Sequence, residues 1–239
     1  MNSQRLSGKV MLKILEKPVL WHIYHRLKSC ENLDNVVIST GERERNKEIC
    51  DFAEEFSIPY YCGSEVNLIE RLYETAKKFN ASSIIRVTGD CPLVEPDVVD
   101  QMISEYKKSK NEYDVITNSF SFSFPHGLEI ELWSTNILKK LNLEIKEPEF
   151  KEWFPIYVKN NSNKFKILEI KNKENLSKFR LTLDYQEDFK LIEKIYGELY
   201  NDKIIFKIKD TLLLLEKKPE LMKINSKYVG EHNIDAPKN

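Results

Sequence analysis

Four residues near the start of the chain, Ser3, Arg5, Gly8 and Lys9 in "MNSQRLSGKV", are of the types that hold a phosphate. The hydroxyl and the two cations offer hydrogen bonds and charge, and the glycine lets the backbone come close to a ligand. The spacing is not that of a Walker loop, which needs GxxxxGK[ST]. Further along, two aspartates follow apolar runs: Asp90 after "SIIRVTG" and Asp184 after "FRLTL". Open α/β sheets bind ligands where strands end, at their carboxyl edge. A carboxylate there suits a Mg²⁺ ion that completes its coordination with phosphates. Each feature alone has a plain alternative: solvated terminal cations in one case, turn or N-cap aspartates in the other. Asp188 fits the plain alternative, early in a helix where the macrodipole favours negative charge. In combination, a cationic loop and two strand-end carboxylates make a place for a metal-bound triphosphate.

The elements that must position these residues alternate along the chain. "NVVIST", "IPYYCG", "SSIIRVTGD" and "YDVITN" are short apolar or β-branched runs and read as strands. Between them, "PVLWHIYHRL", "NKEICDFAEEF", "NLIERLYETAKKF" and "EPDVVDQMISEYKK" carry apolar residues at helical spacing. The first places Val19, Leu20, Ile23, Tyr24 and Leu27 on one face. The last opens with Pro96, where the missing N–H costs nothing, and turns Val98, Val99, Met102, Ile103 and Tyr106 toward a core. Such alternation predicts βαβ units and an α/β fold: an open, mostly parallel sheet flanked by helices, Rossmann-like in outline. The second half is less regular. "GLEIELWS", "FKILEI" and "FRLTL" read as strands, and "EDFKLIEKIY" and "DTLLLLEKK" as helices. With no internal repeat and no clear boundary, residues 1–239 are expected to form a single domain, with a larger α/β part to about 120 and a smaller part from about 121.

Composition bounds the partners. The chain has 239 residues, of which 41% are apolar and 31% charged, within the ordinary globular range. Its 37 basic and 38 acidic residues nearly cancel, so no basic excess points to nucleic acid. Cys30, Cys50, Cys62 and Cys91 form no CxxC pair and read as reduced thiols of a cytoplasmic protein. Runs such as "TLLLL" are too short to span a bilayer, so no membrane partner is expected.

The motifs resemble a known family. "SQRLSGKVMLKILEKPVLWHIYHRL" is similar to the signature of the cytidylyltransferases that activate acidic sugars, RxxSxRLPGK followed by GKPxL. "GSEVNLIERLYETAKKF", "IIRVTGDCPLVEPDVVD", "DVITNSF", "PHGLEIELWS", "RLTLDYQEDFKLIEKIY" and "LLEKKPELMKIN" continue the match in order. The resemblance covers nearly the whole chain and is strongest to the spore-coat polysaccharide branch. It is more distant to 3-deoxy-manno-octulosonate and acylneuraminate cytidylyltransferases. It implies a nucleotide-diphospho-sugar transferase-like fold and transfer of CMP from CTP to a sugar or sugar acid, with release of pyrophosphate. Ser3, Arg5, Gly8, Lys9, Arg71, Thr88 and Gly89 would bind the nucleotide, with Thr88 and Gly89 on the base side. Lys9, Asp90 and Asp184 would be catalytic, with Mg²⁺ on Asp90 and Asp184. Pro125, Gly127 and Glu131 would shape the acceptor pocket. The resemblance also implies a homodimer, for which Trp133, Phe150, Trp153 and Phe154 would suit a buried interface. Arg71 has an equal alternative as a surface residue paired with Glu70 or Glu74, and Glu131 one as an exposed strand residue.

The sequence departs from the family pattern in places. Ser7 replaces a proline and Glu16 a glycine, both read as tolerable in a loop. His126 stands where aspartate is frequent, and "EFKEWFPIYV" lacks a histidine. These last two changes fall where the acceptor belongs. The family places an apolar strand before the phosphate loop, so in-frame codons for such a strand are expected upstream of Met1. Two other readings stay open: a nucleotide-sugar-dependent glycosyltransferase of the same general fold, although "TGDCP" lacks the usual D-x-D, and a truncated inactive copy.

Overall fold

The computed structural model describes residues 5–110 and 112–231. Gly8, with φ of 66°, turns the chain into a short 3-10 turn, Lys9–Met11. A hairpin follows, β1 (Lys13–Ile14) paired antiparallel with β2 (Lys17–Pro18). Its tip residues, Leu15 and Glu16, both take positive φ, 47° and 62°. That is the conformation a two-residue hairpin turn asks of Asn or Gly. The replacement at Glu16 therefore carries backbone strain and is not the tolerant loop position that the sequence suggested.

Helix α1 (Val19–Lys28) buries Val19, His22, Ile23 and Arg26. Two of these are polar, and each is satisfied. His22 Nε2 lies 2.8 Å from the Ile14 carbonyl. Arg26 donates to the carbonyls of Val94 and Phe206 at 2.7 and 3.0 Å. The expected partners Leu20, Tyr24 and Leu27 are only half-buried. Four further elements match their runs: β3 (Ile38–Thr40), α2 (Lys47–Glu55), β4 (Tyr60–Cys62) and α3 (Leu68–Lys78). So do β5 (Ser83–Arg86), α4 (Pro96–Lys108) and β6 (Val115–Thr117). All five core residues expected on α4 are buried.

The sheet is mixed. Strands β3 and β4 pair in parallel. A second sheet runs in the order β5, β7 (Glu131–Ser134), β6, β8 (Ile167–Glu169). In it β7 is antiparallel to both β5 and β6, whereas β6 and β8 are parallel. The α/β class thus stands, with β7 reversing the local direction. "FRLTL" forms no extended ladder; it is tied to the neighbouring loop by one parallel bridge, His126 to Arg180. Helices α5 (Thr135–Glu144), α6 (Pro148–Glu152) and α7 (Phe154–Asn160) complete the central region, and α8 (Gln186–Leu199) and α9 (Ile208–Lys217) the C-terminal part.

Between the two sheets runs a trough of about 500 Å³. Val36, Val37 and Ser39 line one wall, Ile84, Ile85 and Val87 the other, and Leu27 and Leu72 also border it. Among the described residues neither β3 nor β5 is paired on this side. The principal core draws on residues from Ile14 to Leu221, so both parts of the chain share it. Trp133 and Phe154 are fully buried in a second cluster, ring against ring at 4.7 Å. Their place is this chain's own core and not a surface between copies; Phe150 and Trp153 remain half-buried. The four cysteines are free, with Cys50 and Cys62 Sγ atoms 3.3 Å apart.

Candidate active site

Three elements converge on one ammonium group. The turn at Gly8 directs Lys9 inward, the segment after β5 supplies Asp90, and the segment before α8 supplies Asp184. Lys9 Nζ donates to Asp90 Oδ2 at 2.8 Å and to Asp184 Oδ1 at 3.0 Å. Residues 175 positions apart in the chain thus meet at one point. Burial alone would depress the Lys9 ammonium, but the two carboxylates outweigh it and its pKa is raised. Burial likewise pushes Asp90 up, yet the Lys9 charge and hydrogen bonds from Lys9 and Thr88 bring it down to about 2. Both groups are charged across the physiological range, and the site is a salt-bridged cluster at the sheet edge.

Arg5 and Arg180 extend the cluster. Arg5 Nη2 reaches Asp184 Oδ1 at 3.2 Å, and Arg180 Nη2 reaches Asp184 Oδ2 at 3.4 Å. Arg180 is itself buried against Asp188, with Nε to Oδ1 at 2.9 Å and Nη2 to Oδ2 at 3.0 Å. Asp188 also accepts the backbone N–H groups of Asp184 and Tyr185, both at 3.0 Å. It therefore does more than meet a helix dipole: it fixes the backbone that presents Asp184.

Two hollows flank the cluster. The first, about 230 Å³, is lined by Thr88, Asp90, Glu129, Trp153 and Asp184 among others. The second, about 210 Å³, lies on the other side of the loop and is lined by Gly8, Lys9, Ser39, Thr40, Glu65 and Arg71 among others. Arg71 Nη1 donates to the Ser64 carbonyl at 2.8 Å, and its buried Nε has no hydrogen-bond partner among the described residues. Glu70 instead bonds Asn67, and Glu74 pairs with Lys77. Arg71 is thus not the surface ion-pair residue of the alternative reading.

The remaining expected site residues are placed as follows. Thr88 bonds Asp90 and faces the first hollow, while Gly89 packs against Val10, whose Cγ1 would lie 2.7 Å from an added Cβ. Pro125 and Gly127 are buried in the loop beside that hollow. Glu131 is not exposed; it is 4% accessible and paired with Arg86 at 2.7 Å. Ser3 lies outside the described residues. Sequence reasoning passed over Glu129, Arg180 and Arg86, and assigned the hollow-facing Trp153 to an interface between copies. For Arg180 a signal existed, an arginine eight residues before a helix-start aspartate, whereas Arg86 and Glu129 gain their meaning from distant partners.

No group of three or more His, Cys, Asp or Glu side chains forms a metal cage among the described residues. The Asp90–Asp184 pair nevertheless fits Mg²⁺. That ion prefers one or two carboxylates and takes its other ligands from water and phosphate, and the two carboxylates already converge on one cation.

A mixed α/β sheet, a loop lysine held between two aspartates from distant segments and a hollow on each side define a nucleotidyltransferase. The sequence profile of the cytidylyltransferases matches residues 1–218, and the chain belongs to that family. It is 27% identical to the spore coat polysaccharide biosynthesis protein SpsF of Bacillus subtilis, over 82% of each chain. Among solved structures it is similar to a cytidylyltransferase from Leptospira borgpetersenii, with a TM-score of 0.88 and 29% identity over 97% of this chain and 94% of that one. A CMP-2-keto-3-deoxy-manno-octonic acid synthetase solved with CTP shares the fold, with a TM-score of 0.61 and 15% identity over 82% and 95% of the two chains. Family membership selects nucleotidyl transfer over the glycosyltransferase reading.

Proposed function

We propose that this enzyme transfers CMP from CTP to a sugar or sugar acid in surface polysaccharide synthesis. The observation that carries this reading is the Lys9 ammonium bridging Asp90 and Asp184 between two hollows. The nucleoside occupies the hollow bordered by Gly8, Thr40 and Arg71, where Arg71 Nε has no partner among the described residues; Thr88 then lies on the acceptor hollow and not on the base side that the family resemblance implies. Arg5 and Lys9 bind the phosphates, with Ser3 assigned to the same loop from the family pattern. The acceptor occupies the hollow bordered by Asp90, Glu129 and Trp153. There the acceptor oxygen attacks the α-phosphorus in line and pyrophosphate leaves. Lys9 offsets the negative charge that develops on the phosphates, and most of the acceleration comes from positioning. Asp90 and Asp184 would hold Mg²⁺, which when bound screens the triphosphate and orients it.

The reading extends to a cytoplasmic homodimer acting as one nucleotidyltransferase domain over 1–239. No helix among the described residues is long and apolar enough to cross a membrane. Calorimetry with Mg²⁺ and each ribonucleoside triphosphate tests the nucleotide assignment. CTP is expected to bind at least tenfold more tightly than UTP, ATP or GTP, and equal affinities would contradict it.

A further inference from the structure

Glu129 is a carboxylate in the first hollow to which the reaction as described assigns no step. It precedes β7, between Leu128 and Ile130, whose side chains are buried in the core. Strand-like alternation therefore turns Glu129 to the face opposite Leu128 and Ile130, the face that Glu131 shares. Its position is fixed from behind. The Gly127 N–H donates to Glu129 Oε2 at 2.7 Å. Gly127 has φ of 102°, and a Cβ there would lie 2.4–2.6 Å from the Leu181–Thr182 backbone. His126 N–H donates to the Phe179 carbonyl at 2.9 Å, and Leu181 N–H to the His126 carbonyl at 2.6 Å, clamping the loop onto that segment.

The charges around Glu129 set it apart. Asp90 and Asp184 share the Lys9 ammonium. Glu131 has Arg86 at 2.7 Å and the Trp133 indole N–H at 3.1 Å. No cation among the described residues pairs with Glu129. It faces Asp90 and Cys91 from the segment after β5 and Glu131 from β7. His126, Lys159 and Asp184 border the same hollow. A carboxylate in that position is neutralised most readily by a proton.

Resting on the cytidylyl-transfer reading, we propose that Glu129 is the general base for the acceptor, because it is the rigid, cation-free carboxylate beside Asp90 in the acceptor hollow. The acceptor O–H bond breaks and its proton goes to the Glu129 carboxylate. The oxygen's electron pair forms the bond to the α-phosphorus, and the bond from that phosphorus to the bridging oxygen breaks with its electrons leaving on pyrophosphate. Charge and proton balance without any other reactant. Burial, followed by the neighbouring Asp90 and Glu131 charges, raises the Glu129 carboxyl to about 7, against its own and the Gly127 N–H groups, which lower it. That value suits a base working near neutrality.

The test compares the full chain with Glu129→Gln in two measurements. The first follows pyrophosphate release from CTP, Mg²⁺ and 3-deoxy-manno-octulosonate between pH 5.5 and 9. The wild-type rate is expected to rise about tenfold per pH unit and to level off near pH 7. Glu129→Gln should lose about a hundredfold or more at pH 8, lose the rise, and bind Mg²⁺–CTP within about twofold of wild type by calorimetry. A variant that keeps the rate, or one slowed but with the rise intact, overturns the proposal. The second measurement is thermal melting without substrate. A carboxyl raised in the folded state stabilises the fold below its unfolded pKa, and that contribution is lost as pH climbs through about 7. Glu129→Gln is therefore expected to gain about 5–10 °C over wild type between pH 5 and pH 8. A constant difference overturns the proposal even where this acceptor is not turned over. Absence of turnover by wild type together with a pH-dependent melting gain contradicts the acceptor reading and leaves the proton-holding carboxyl in place.

Discussion

Lys9 sits where two carboxylates would otherwise repel each other, and the effect of removing it follows from that position. In wild type the Asp90 carboxyl is held down to about 2, so its contribution to stability is present above its unfolded value near 3.9 and is lost as pH falls through about 2. Lys9→Ala removes the cation and turns the pair repulsive. The variant should melt below wild type at pH 7, the gap should narrow below about pH 4, and millimolar Mg²⁺ should restore part of it. Turnover should fall by about a hundredfold or more with a raised KM for CTP, since a charge that meets the developing phosphate charge is gone. Steady-state rates with melting curves at pH 7 and 3.5 check this; an unchanged rate returns Lys9 to a solvated surface role. The triad was legible in the sequence because each aspartate follows an apolar run and the lysine follows a glycine. Glu129 and Glu131 were not separable there. They stand two apart on one face, and what distinguishes them is Arg86, 45 residues earlier in the chain.

At the scale of elements, the hairpin tip and the trough carry the clearest consequences. Leu15 and Glu16 both hold left-handed backbone, which costs an L-residue about 1–2 kcal/mol. Glu16→Gly is expected to stabilise the chain by about 1 kcal/mol, a rise of about 2–4 °C in Tm, as read by calorimetric melting; an unchanged or lower Tm would contradict the strain argument. Among the described residues the trough has unpaired strand edges and apolar walls on both sides, the two features a strand satisfies at once. The helices were readable because their apolar spacing is local, as on α4. The direction of β7 was not, because pairing depends on distant partners. The hairpin was hidden by the missing glycine, and part of the buried face of α1 by His22 and Arg26, which look like surface residues until Ile14, Val94 and Phe206 supply acceptors.

Across the whole molecule, the fold brings the first turn, the middle of the chain and its C-terminal part to one site. Arg5 and Lys9 come from the first turn, Asp90 from the middle, and Asp184 from a segment locked by the Arg180–Asp188 pair. The α/β class and the triad's members could be read in advance; their convergence, and the buried aromatic pair of Trp133 and Phe154, needed the fold. The central claim is that this convergence performs cytidylyl transfer. The measurement that tests it most directly follows pyrophosphate and CMP-conjugate formation together, with CTP, Mg²⁺ and a panel of sugars and sugar acids, for wild type and Asp90→Asn. Wild type is expected to release one pyrophosphate for each CMP transferred to at least one acceptor. Asp90→Asn should lose about a thousandfold or more of that rate while keeping a wild-type circular dichroism spectrum. Stoichiometric product from Asp90→Asn at the wild-type rate, or nucleotide conversion by wild type without pyrophosphate, would contradict the account.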